Sequence, residues 1–198
     1  SYGPVPTPEQ DKVEGGGLRC WGLAKGLIEQ DESLDITVAY HDSYRKPDHT
    51  NEFESIKVET WNIDSIDALI AGKDAVVVSY CMGDLSVAIA EKIQANQQLI
   101  LDCYVPIYVE ISARGSQDLK GEYDAFNFEV NRWASVLRRG DIFLCANSNQ
   151  KRYYQGVLSA LGRVNPATYG DDLIKVVPYG VYEKKPVVTE KPITKRIG

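Results

Sequence analysis

Three successive glycines stand just ahead of an amphipathic run, in Glu14-Gly15-Gly16-Gly17-Leu18-Arg19-Cys20-Trp21. Without a Cβ, a glycine lets its backbone N–H come close to an oxyanion, and a helix N-terminus behind it favours negative charge. The chemistry open to these residues is phosphate binding. Gly15, Gly16 and Gly17 would supply amide donors, and Arg19, one turn further on, a positive side chain. A merely flexible loop is the other reading of the same residues. No Gly-Lys-Ser/Thr follows, so this is not a P-loop, and the spacing does not match GxGxxG.

Near the other end, Val176-Val177-Pro178-Tyr179-Gly180-Val181 is a strand stopped by a tight turn. Tyr179 there offers a ring that could stack on a sugar or base, as do Tyr153 and Tyr154. Asp102 ends the apolar run Leu99-Ile100-Leu101 and precedes Cys103-Tyr104-Val105-Pro106. A carboxylate in that place could act as a base, orient a hydroxyl, or serve structure by capping the next helix or holding a hydrogen bond. Glu110 could line the same cleft or face water. His41, after a strand, is a candidate for the cleft rim, and His49, in a polar loop, is expected to be solvated. No Ser-His-Asp or Cys-His arrangement supports nucleophilic hydrolysis.

These residues need a scaffold, and the chain alternates apolar with amphipathic runs. The apolar runs are 36–40, 56–58, 75–79, 99–103, 142–146 and 173–177. Most are short and β-branched, and several are apolar on both faces, which is the pattern of strands buried in a parallel sheet. Helical spacing joins Cys20, Trp21, Ala24, Leu27 and Ile28; Ile63, Ile66, Leu69 and Ile70; and Leu85, Ala88, Ile89 and Ile93. A longer helix is expected from about Glu122 to Arg139, with Tyr123, Phe126, Val130, Trp133 and Leu137 inward and Gly140 as its stop. The last is expected over about 149–161, capped by Ser148 or Asn147. This order predicts an α/β, doubly wound, mainly parallel sheet with helices on both faces, in which ligands lie beyond the carboxyl ends of the strands.

With 198 residues the chain suits one well-buried domain. We place that domain at residues 1–181 and a linker or arm at 182–198. The opening Ser1-Tyr2-Gly3-Pro4-Val5-Pro6 resembles the exit from a strand, so the first strand is expected to be truncated. A net charge of −6, with no long basic stretch, argues against nucleic acid as a partner. The four cysteines form no CxxC pair, which argues against a zinc site, and their wide spacing points to a reducing, cytoplasmic setting. No apolar run approaches the ~20 residues needed to span a bilayer. A peripheral membrane contact stays open.

Taken in order, the glycine segment with its Arg-bearing helix, Leu-Ile-Leu-Asp-Cys-Tyr-Val-Pro, Leu-Cys-Ala-Asn-Ser-Asn-Gln-Lys-Arg-Tyr-Tyr and Val-Val-Pro-Tyr-Gly-Val form a pattern. It resembles the N-terminal domain of GT-B glycosyltransferases of the group 1 (family 4) type, over most of residues 13–181. That resemblance implies the acceptor-side half of a retaining, metal-independent glycosyltransferase that needs a C-terminal donor domain and is inactive alone. It uses a nucleotide-diphosphate sugar as co-substrate, a hydroxyl acceptor and no other cofactor. It implies Gly15, Gly16, Gly17 and Arg19 at the donor diphosphate, Asp102 as a catalytic residue, and Tyr104, Ser148, Tyr179 and Gly180 at substrate. The chain departs from the family pattern at Tyr179, where Asn is usual, at Tyr182, where Asp is common, and at Asp102, where many members carry His. A non-catalytic carbohydrate- or protein-binding module is the alternative. An epimerase or other oxidoreductase would need GxGxxG and Tyr-x-x-x-Lys, and neither is present.

Overall fold

Short β-branched runs form strands where a neighbouring strand takes up their backbone hydrogen bonds, and parallel pairing does most of this here. The computed structural model describes residues 1–80, 83–113 and 118–180. The expected arm at 182–198 lies outside the described residues. The chain runs α1 (Gly15–Gln30), β1 (Thr37–His41), β2 (Glu52–Phe53), β3 (Ile56–Trp61), α2 (Ile66–Ile70), β4 (Ala75–Val78), α3 (Asp84–Lys92), β5 (Gln98–Asp102), α4 (Ile107–Ser112), α5 (Leu119–Arg139), β6 (Ile142–Cys145), α6 (Ser148–Ala160) and β7 (Ile174–Val176).

The strands form two sheets. One has four strands, all parallel, in the order β4-β5-β6-β7. The other has the order β1-β3-β2, with β1 parallel to β3 and the two-residue β2 antiparallel to it. The fold is α/β, and its parallel sheet flanked by helices is compatible with a Rossmann-like, doubly wound arrangement. All six expected strands are present. The pairing does not merge them into one hydrogen-bonded sheet.

Two buried clusters lie mainly one to each sheet, with Trp61 of β3 belonging to the larger. The larger gathers Leu99, Leu101, Val136, Leu137, Phe143 and Leu158. The smaller joins Val5, Trp21, Ala24, Val38, Ile56 and Val58. Burial of such side chains is worth roughly 1.5–3 kcal/mol each. The long helix was expected to bury a stripe along its whole length, yet among its described side chains Trp133 is the first to be fully buried, Phe126 and Val130 are only half-buried, and Tyr123 is 65% exposed. The reason is length: 21 residues make a rod of about 31 Å, whereas a five-residue strand spans about 17 Å. Leu27 was also expected inside, and it is 47% exposed on α1.

Candidate functional site

The carboxyl ends of the parallel strands meet the start of α1, and two charged residues fix that meeting. Asp102 is the last residue of β5, and Arg19 lies in the second turn of α1. The Arg19 guanidinium donates to both carboxylate oxygens, from Nε at 2.7 Å and from Nη2 at 2.8 Å. The two side chains are only 3% and 7% exposed. Burial pushes the Asp102 carboxyl up, and the Arg19 hydrogen bonds and charge draw it part of the way back. Burial acts to lower the Arg19 pKa, and Asp102 outweighs it, so the guanidinium titrates above its ordinary value.

Two tyrosine rings hold the same guanidinium. Its carbon lies 5.5 Å from the centre of Tyr104 and 4.9 Å from that of Tyr179. The rings meet each other edge-on, 5.9 Å apart. Arg19 Nη1 also donates to the Pro178 carbonyl at 3.4 Å. One residue of α1 thus ties down the end of β5 and the turn after β7. Asp102 does not cap the following helix; α4 begins after Pro106 and has no side-chain cap.

The three glycines form the first turn of α1 itself, not a loop before it. Glu14 is the N-cap and makes no side-chain capping bond. The glycines have unlike roles. A Cβ on Gly17 would lie 2.0 Å from the Pro4 carbonyl oxygen, so close packing of the N-terminal segment on α1 requires glycine there. A Cβ on Gly16 would sit 3.5 Å from the Tyr104 hydroxyl, an ordinary contact, and one on Gly15 would meet nothing. Gly15 is exposed, Gly16 half-buried and Gly17 buried.

Gly16, Glu14, Asp102 and Tyr104 line a cavity of about 190 Å³ together with Ser1–Gly3 and Val77–Ser79. It opens at the carboxyl edge of β4 and β5, where an α/β fold places its ligands. Its chemistry is mixed. The uncapped first turn of α1 favours an anion, Glu14 and Asp102 bring carboxylates, and the Arg19 charge is balanced by Asp102. Among the described residues, no group of three or more His, Cys, Asp or Glu is placed to hold a metal ion. No described helix is long and apolar enough to cross a membrane.

Other expected residues sit at the margin. Ser148 is the exposed first residue of α6, after the Asn147 N-cap, whose side chain accepts from the Asn149 and Gln150 N–H groups. The link from α6 to the site is made instead by Gln150, whose Nε2 donates to the Tyr104 carbonyl at 2.8 Å. Gly180 is exposed beyond Tyr179, and Glu110 is exposed on α4. Tyr154 lies in the core, where its hydroxyl meets that of Tyr80 at 2.7 Å. His41 packs between Tyr2 and Trp61. His49 was expected in solvent, but its side chain is 5% exposed, with Nδ1 2.9 Å from the Tyr40 hydroxyl.

Sequence reasoning missed the Arg19–Asp102 pair and the part played by Glu14 and Gln150. A signal for the pair did exist. An acid inside Leu-Ile-Leu-Asp-Cys and a base beside Cys-Trp are lone charges in apolar surroundings, and buried charges need partners. Compared with known protein families, curated proteins and solved structures, the chain matches none of them.

Proposed function

We propose that this chain is the acceptor-side lobe of a retaining glycosyltransferase that moves a sugar from a nucleotide-diphosphate sugar to a hydroxyl acceptor. The observation that supports this reading is the uncapped first turn of α1, which opens beside Asp102 and Tyr104 at the carboxyl edge of the sheet. In the reaction the bond between the sugar C1 and the diphosphate oxygen breaks, and a bond from C1 to the acceptor oxygen forms. The acceptor proton leaves with the diphosphate. The chain's part is to offer the Gly15 and Gly16 amides to the departing phosphate charge and to hold the acceptor near Tyr104.

Arg19 acts through position in this scheme. Its charge is taken up by Asp102, so it fixes the height of the glycine turn over β5 and steadies Tyr104 and Tyr179. Asp102 likewise serves as a positioning residue while the pair is intact. Ser148 and Gly180 stand further out, where a longer acceptor would pass.

Gly16 gives the test, because a methyl group there meets only an ordinary contact. In the polypeptide that also carries a donor lobe, Gly16→Ala is expected to leave the melting temperature unchanged or higher and to lower sugar transfer by tenfold or more, roughly the loss of one charge-assisted hydrogen bond. Transfer at the parent rate by a stable Gly16→Val variant would remove the glycine turn from the reaction.

A further inference from the structure

The two sheets end on edges that face each other. β1 is the outer strand of one sheet and β4 the outer strand of the other. Their starts are held together by Lys73 Nζ, which donates to Thr37 Oγ1 at 3.2 Å. At their carboxyl ends Ser1–Gly3 and Val77–Ser79 line one cavity. The two strands therefore run in the same direction with a slot between them.

Alternation along a strand shows what the slot presents. The Lys57 N–H donates to the Ile36 carbonyl, so the β3 side of β1 is served by residues 36, 38 and 40. Thr37, Ala39 and His41 then turn their backbone groups to the slot. The Gln98 N–H donates to the Asp74 carbonyl, so on β4 Ala75 and Val77 turn theirs to the slot from the other side. Apolar surface hangs over it as well. Cys20 and Leu23 of α1 line the cavity, Leu27 is 47% exposed one turn beyond, and Val77 is 44% exposed. An exposed apolar strand edge is a template for another strand.

The beginning of such a strand is already in place. The Ser1 ammonium donates to the Ala39 carbonyl at 2.7 Å, and the His41 N–H donates to the Tyr2 carbonyl at 3.2 Å. Ser1 and Tyr2 thus run parallel to β1 and bond to its slot-facing groups. Traced back from Ser1, the same path passes between β1 and β4 toward Lys73.

We propose that the slot takes one parallel, apolar β-strand that continues directly into Ser1. This strand pairs with β1 on one edge and β4 on the other and joins the three-stranded and four-stranded sheets. The chain leaving it passes through Pro4 and Glu14 into the glycine turn of α1. The lower part of the cavity, around Leu23 and Val77, is then strand space, and ligand space is confined to the upper part around Gly16 and Tyr104.

The test compares two N-terminal extensions of the chain, each of about six residues, a typical strand length. One is Lys-Ile-Leu-Val-Ile-Val and the other alternates Gly and Ser. With the apolar extension, the Ala39 and Val77 amides are expected to exchange roughly tenfold more slowly or better in a protein that stays monomeric, about the effect of one added hydrogen bond per amide. The Gly-Ser extension leaves both unchanged. If the apolar version precipitates, the acetylated peptide Lys-Ile-Leu-Val-Ile-Val added to the folded chain gives the same readout. Unchanged exchange at both amides overturns the proposal. So does protection that appears only with dimerisation, which would mean that the edges pair between copies.

Discussion

Arg19 and Asp102 make a demanding contact, because each would be a costly isolated charge at its depth. Removing one partner of such a pair costs about 3–5 kcal/mol, whereas replacing both with apolar residues is often neutral. Asp102→Asn is therefore expected to lower stability by about that amount in urea denaturation, and the Arg19→Met, Asp102→Leu double variant to recover most of it. If the two single losses simply add in the double variant, the residues are not coupled. The glycines of α1 separate in the same way. Gly17→Ala forces a Cβ against the Pro4 carbonyl and should cost about 1–3 kcal/mol. Gly22→Ala, exposed in the middle of the helix with nothing near its Cβ, should stabilise by up to about 1 kcal/mol. Thermal melting of the two variants should shift in opposite directions. The glycine triplet, Asp102, Tyr104 and Tyr179 could all be picked out from residue type and place in the chain. Their partners could not, since nothing local in the sequence says that residue 19 faces residue 102.

The elements were legible where period and punctuation agree. Each expected strand begins within a residue of its place, because β-branched runs with turn signals at both ends admit few alternatives. The two-residue β2 and the short α4 after Pro106 carry too little pattern to stand out. The glycine segment was misjudged as a loop because three glycines have poor helix propensity. Packing of Gly17 on Pro4 overrides that preference. The loops around β1 rest on a buried acid. Glu9 accepts from the Thr50 N–H at 3.1 Å and from its hydroxyl at 2.8 Å, with His49 at 3.8 Å. Burial acts to raise the Glu9 carboxyl, but hydrogen bonds from the backbone and Thr50 hold it below its ordinary 4.5. A depressed carboxylate stabilises the fold above its unfolded value and loses that contribution as pH falls through the folded one. As pH falls below 4.5 and through the depressed Glu9 value, the Thr50 contact should therefore be released. The Thr50 amide chemical shift, followed by NMR, should move in that acid range; a flat profile down to global unfolding would show that Glu9 does not anchor the loop.

At the scale of the whole molecule, the alternating order made the α/β class readable, since strand–helix–strand units pack stably in few ways. The separation into two sheets was not readable, because strand pairing is decided by edges in space and not by any one run. The smaller sheet has the smaller core and the two-residue β2 on its flank. Its amides should exchange through lower-energy openings than those of β5 and β6, which are covered on both sides. Native-state hydrogen exchange should show two tiers, with β1 and β3 below β5 and β6. A single common opening energy would mean that the halves unfold as one unit.

The contacts of Arg19 also set an order of events during synthesis. From residue 19 the clasp reaches forward 83 positions to Asp102 and 159 to Pro178. A ribosome releases the amino end first, so α1 emerges long before either contact exists. Its guanidinium stays in water until β5 is complete, and its second wall arrives only with the turn after β7. Helix α1 is thus among the last parts to lock, and a pause anywhere before residue 178 leaves the glycine turn unset.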